Sequence, residues 1–177
     1  MGALFQQPTI FGQLPLSTYT VILLGFRVEV HDRDVVIETL HRASSKLRTA
    51  FPFLAGQVIL EGKDDSTSSG TYRTIPYEPH SRSFVHVKDC SDLCPSLDDL
   101  LAAKAPISML DGKILCPKKG FFHMYDPAKE VLPVFHIQAS FIKGGILLCF
   151  AGEVRLLAIT QSSGYDTDVL LSTTVST

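Results

Sequence analysis

The run PVFHIQASFIKGGILLCFAG, residues 133–152, constrains the fold of this chain more than any other segment. Phe135, Ile137, Ala139 and Phe141 alternate with His136, Gln138, Ser140 and Ile142, the two-residue period of a half-buried strand. Lys143-Gly144-Gly145 supplies residues that tolerate a tight turn, and Ile146–Ala151 returns as the partner strand.

Upstream, residues 17–30 (STYTVILLGFRVEV) are rich in β-branched and apolar residues and read as a strand buried on both faces. The next twenty residues switch to helical spacing. Val36, Leu40, Ala43 and Leu47 fall on one face, Asp32 or Asp34 caps the start, and Pro52 disfavours helix at Phe51. Strands are expected at 54–60, at 71–77 and around SFVHVKD, residues 83–89. Ser96 and Asp99 form a capping box for a short helix over 96–104, and residues 105–133, with four prolines, read as a mostly irregular loop. Strand, helix, strand and hairpins give a mixed α/β fold, a mixed sheet with flanking helices.

Bulk properties narrow the function. The 177 residues fit one domain, and 16 basic against 18 acidic side chains leave no electrostatic footprint for nucleic acid. The N-terminus has no signal-peptide pattern, and VILLGF is far short of a membrane span, so a soluble, cytoplasmic protein without membrane partners is expected. Cys90, Cys94, Cys116 and Cys149 do not form a paired C-x-x-C pattern and are expected as free thiols; zinc on Cys90, Cys94, Cys116 and His123 is the lesser alternative. No metal site is expected.

The order LLGFRVEV, amphipathic helix, LRTAFPFLAGQV, long loop and PVFHIQASFIKGGILLCFAG resembles the N-terminal half of BAHD-type acyl-CoA-dependent acyltransferases, in the fungal trichothecene O-acetyltransferase-like branch. The likeness covers residues 14–152. It implies the first half of a two-domain fold, acyl-CoA as co-substrate with no other cofactor, and a small hydroxylated secondary metabolite such as a trichothecene-like terpenoid as acceptor. It also implies a His-x-x-x-Asp motif whose His acts as general base, and a later Asp-Phe-Gly-Trp-Gly signature, with ligand channels running between the domains. Here the hairpin is followed by Glu153-Val154-Arg155, no His lies beyond His136, and none of the six histidines has Asp four residues on. The chain contains no Trp.

No catalytic residue is therefore assigned. Glu153, near the expected His, reads as a solvated charge; His136 reads as a hydrogen-bonded structural His; His123 and Asp126 read as a surface pair. Two other near-motifs, His86–Asp89 and His123–Asp126, have the wrong spacing. Ser162-Ser163-Gly164 with Asp166 and Asp168 lacks the nucleophile elbow of a serine hydrolase. No phosphate-binding Gly loop occurs, and Lys118 and Lys119 in PKKG are expected to face water, contact with an anionic ligand such as a CoA phosphate being the lesser alternative.

Residues 1–152 are expected to form an acyltransferase-like domain and 153–177 a divergent tail. A shifted frame, retained intron or truncated gene copy would explain the change at Gly152, a point that transcript sequencing decides. The chain is expected to be inactive alone. The alternative is a non-catalytic remnant serving as a binding or dimerisation module, and exposed interdomain surface is expected to drive self-association.

Overall fold

The computed structural model describes residue 13 and residues 17–62, 70–80, 83–120 and 123–153. Among these the elements are β1 (Tyr19–Arg27), α1 (Arg33–Ala50), β2 (Gly56–Glu61), β3 (Thr71–Pro76), β4 (Val85–Asp89), α2 (Leu97–Ala102), α3 (Gly112–Leu115), β5 (Leu132–Pro133), β6 (Phe135–Ile142) and β7 (Gly145–Glu153). The tail beyond Glu153, including Ser162, Ser163, Gly164, Asp166 and Asp168, lies outside the described residues.

The strands form two sheets, one with the order β1-β7-β6-β4 and one with the order β3-β2-β5. β6 and β7 pair antiparallel from Phe135 opposite Gly152 to Ile142 opposite Gly145. The turn is Lys143-Gly144, with Gly144 at φ 79°, a conformation that glycine adopts without a Cβ clash. Gly145 opens β7 where an added Cβ would collide with the Phe26 carbonyl and Leu97. β1 adds antiparallel to the free edge of β7, and β4 adds parallel to β6. The mixed sheet expected from the sequence is present.

The register gives the larger sheet two distinct faces. Ile137, Ala139 and Phe141 lie opposite Phe150, Leu148 and Ile146 on one face, where α1 packs Val36, Ile37, Leu40 and Leu47. Arg33 at the start of α1 lies 4.4 Å from the Phe141 ring centroid and pairs with Asp89 at 2.6 Å. On the other face Gln138, Ser140, Leu147 and Cys149 meet the chain between α2 and α3, with Leu97, Leu100 and Leu115 closing a second core. Each such fully buried aliphatic side chain is worth roughly 1.5–3 kcal/mol relative to exposure.

Several sequence expectations are corrected. β1 is an edge strand, not a strand buried on both faces: Val21 and Leu23 point into the molecule, but Ile22 is 53% exposed, Leu24 41% and Phe26 48%. α1 turns Ser44, rather than Ala43, to the core, because the stripe continues at i+8 from Val36. Ser44 is 1% exposed, sits 3.3 Å from Ser83 Oγ and accepts the Phe84 N–H. Asp32 holds the N-cap position without a side-chain capping bond, and Asp34 supplies the first-turn charge. β6, expected half-buried, is covered on both faces: the Gln138 amide donates to the Ile114 carbonyl at 2.7 Å and to Ser140 Oγ. Residues 105–133 contain α3 and the short β5 within otherwise irregular chain. Ser96 caps α2 as expected, with Asp99 N–H donating to Ser96 Oγ, while the Asp99 carboxylate accepts from the Ser96 hydroxyl.

Candidate functional site

Among the described residues, the face of the larger sheet opposite α1 carries most of the perturbed titratable groups. A cleft of about 880 Å³ opens there, between Val21 of β1 and the loop from Asp111 to Glu130. Its volume suits a drug-sized ligand or one arm of a larger one. Lys118, His123 and Tyr125 line it, as do Lys113 and Lys119, which are exposed.

The loop is held by its aromatics. Tyr19 donates its hydroxyl to the Pro133 carbonyl at 2.7 Å, and Tyr125 packs edge-on against Tyr19 with ring centroids 5.2 Å apart. The Tyr125 hydroxyl accepts the Lys119 N–H at 2.6 Å, and burial pushes its phenol pKa up. Against the expectation from PKKG that it faces water, Lys118 is half-buried. It donates to the Val131 carbonyl, lies 5.3 Å from the Tyr125 ring centroid, and has its pKa lowered by burial. Cys149 donates its thiol to Cys116 Sγ across 3.1 Å, which draws the Cys116 pKa down toward neutrality.

Beside the cleft three histidines meet. β4 runs parallel to β6 with His86 opposite Gln138, so His86 and His136 share a face and their rings stack with centroids 4.5 Å apart. His80, on the short turn Glu78–His80, is 1% exposed and brings its Nε2 to 3.2 Å from His136 Nε2. Burial, then the neighbouring imidazoles and Lys118, pulls His136 down to about 3. Burial and His86 pull His80 down to about 4, and burial lowers His86. All three are therefore neutral at physiological pH.

The comparisons with known proteins agree with one another. Residues 18–161 match the trichothecene 3-O-acetyltransferase-like N-terminal domain. The chain belongs to that family. It is 40% identical over 152 residues to the O-acyltransferase pigD of Monascus ruber, covering 83% of this chain and 33% of that protein. To the trichothecene 3-O-acetyltransferase TRI101 of Fusarium sporotrichioides it is 34% identical over 157 residues, covering 85% of this chain and 34% of that one. The crystal structure of that enzyme with coenzyme A and T-2 superposes with a TM-score of 0.75 and 32% identity, over 86% of this chain and 35% of the other. The chain thus spans about a third of the length of these curated relatives, not the half read from the sequence.

Within this trichothecene acetyltransferase-like domain the candidate residues scatter. Glu153 is not a solvated charge: it ends β7 at 1% exposure, with its N–H donated to the Val134 carbonyl. His136 has the hydrogen-bonding partner expected of a structural His, but that partner is His80, 56 residues away. His86 and Asp89 point to opposite faces of β4, and Asp89 belongs to Arg33 and Ser91. His123 packs on Tyr125, while Asp126 caps its own turn at Ala128 N–H and pairs with Lys129. The four cysteines are free, and the alternative zinc set is not assembled: Cys116 meets Cys149, and Cys94 donates its N–H to the Cys90 carbonyl. Sequence reasoning missed the three-histidine cluster, because no local spacing announces it; only the parallel β4–β6 pairing brings residues 86 and 136 together.

The depressed histidines set a pH dependence. A folded pKa below the unfolded value of about 6.5 contributes stability above that pH and loses it as pH falls toward 3–4. Urea midpoints are expected to fall as pH is lowered from about 6.5 to 4, with His136→Gln flattening that slope. An unchanged slope in the variant would show that His136 titrates normally.

Proposed function

We propose that this chain supplies the acyltransferase-like N-terminal domain, residues 1–152, of an acyl-CoA-dependent O-acyltransferase acting on a hydroxyl of a fungal secondary metabolite. The match of residues 18–161 to the family domain carries this reading, supported by relatives that are O-acyl- and O-acetyltransferases and by neighbours crystallised with coenzyme A. Acyl-CoA would be the co-substrate, the acceptor a small hydroxylated metabolite and the compartment the cytoplasm; among the described residues no helix is long and apolar enough to cross a membrane. The acceptor hydroxyl attacks the thioester carbonyl as a general base takes its proton, and the tetrahedral intermediate expels the CoA thiolate. That base is the part this chain does not supply: no His-x-x-x-Asp occurs, and general-base loss costs roughly 10²–10⁴-fold. In this reading Lys113 and Lys119, exposed and lining the cleft, would meet a CoA phosphate.

The uncovered strip Ile22, Leu24 and Phe26 favours a second element of the reading. These side chains lie on one face of an edge strand, a surface that exposes both apolar area and unpaired backbone. In a longer enzyme this strip would meet further protein; in the 177-residue chain a second copy covers it. A sedimentation coefficient that rises with concentration is expected, and a monomer at every concentration would contradict it.

For activity, the 177-residue chain mixed with acetyl-CoA and a panel of terpenoid alcohols is expected to release free CoA only at background. A chimera carrying residues 18–152 in place of the matching segment of the F. sporotrichioides enzyme is expected to release it above background. Turnover by the 177-residue chain would refute the reading that it lacks the general base. A folded, soluble chimera without turnover would refute the acyltransferase assignment of the domain.

A further inference from the structure

We infer that His80, His86 and His136 form a binding site for one divalent transition-metal ion of the zinc class. One nitrogen from each ring lies within 4.8 Å of the others, on three separate elements: the turn at 78–80, β4 and β6. Zinc–imidazole bonds of about 2.0–2.1 Å place two ligands of a tetrahedral ion roughly 3.3 Å apart. The His80 and His136 Nε2 atoms are already 3.2 Å apart, the length of one such edge. His86 is exposed and stacked on His136, so it can swing its ring about its own side-chain bonds to complete the third corner without disturbing the core. Three imidazoles with no thiolate or carboxylate among them suit zinc, cobalt, nickel and copper rather than magnesium or calcium. A fourth position is left for water.

Metal binding requires neutral imidazole, and burial lowers the pKa of all three rings, so binding releases no net proton at physiological pH. One of His80 and His136 must shift its Nε2 hydrogen to Nδ1 before both Nε2 atoms can ligate. Two features weaken the site. Lys118 adds a positive charge near His136, and the Nδ1 atoms of His80 and His136 are buried without a hydrogen-bond partner. The outer-shell bonds that normally raise ligand basicity are therefore missing, which lowers affinity by about 10–100-fold relative to a fully supported site. The competing arrangement is a bare imidazole–imidazole hydrogen bond, in which one Nε2–H donates to the other ring's lone pair.

The site stands on this geometry alone and is independent of the acyltransferase reading. The test uses the tag-free 177-residue chain, stripped with a chelator and titrated with Zn²⁺ against a chromophoric competitor, then with Co²⁺. Expected are one zinc per chain and weak visible cobalt bands without the near-ultraviolet charge transfer that thiolate ligands produce. His86→Ala, at an exposed position, is expected to weaken binding at least about tenfold with an unchanged circular dichroism spectrum, and His136→Ala similarly. His31→Ala is expected to change nothing. No saturable zinc binding, a thiolate signature, or one-to-one binding indifferent to His86→Ala would each overturn the inference, the first leaving the hydrogen-bonded His80–His136 pair with His86 stacked on it as the whole account. If His136→Ala fails to fold, His86→Ala still decides.

Discussion

β7 is hydrogen-bonded along both of its edges, to β1 through nine residue pairs and to β6 through eight, and nearly every side chain it carries is buried. That double pairing fixes the rest of the domain. It sets which residues of β6 face α1 and which face the cleft, since a slip of one residue would exchange the two sets. The tight turn at Lys143-Gly144 sets the register, and Gly145 lets the Phe26 carbonyl and Leu97 close over the hairpin end. Two cores, one on each face, are consequences of this single register.

The chemistry-bearing face follows from it. With β6 fixed, the parallel addition of β4 sets His86 beside His136, and the turn at 78–80 delivers His80 to the same spot. The loop between α3 and β5 folds over the same sheet face through Tyr19, Tyr125 and Lys118, so cleft and histidine cluster are neighbours rather than separate features. Burial is the largest influence on all three histidines, most strongly on His80 and His136, which lie deeper than the exposed His86.

Much of this was legible in the amino-acid sequence, and the failures have physical causes. The hairpin, the helix stop at Pro52 and the helix cap at Ser96 are local, encoded by alternation, ring sterics and a three-residue spacing, and each appears where expected. Whether an apolar strand lies at the centre or the edge of a sheet is not local, so β1 was misread: its outward residues are as apolar as its inward ones. Ala43 and Ser44 differ by one position on a helix whose stripe admits either, and tertiary packing chose the serine. Glu153 reads as a strand-end charge, yet β7 carries it into the interior opposite Tyr19. The histidine cluster spans residues 80 to 136 and depends on a parallel pairing that no turn signal marks.

Native-state hydrogen exchange tests the central role of β7 most directly. Amides of β7 and β6 are expected to exchange only through global unfolding, with the highest protection in the chain. Those of β1 and of the β2–β3 pair are expected to open earlier, through local fluctuations. β7 amides exchanging as readily as those of β1, or highest protection residing in the three-stranded sheet, would contradict the dependence of the domain on this strand.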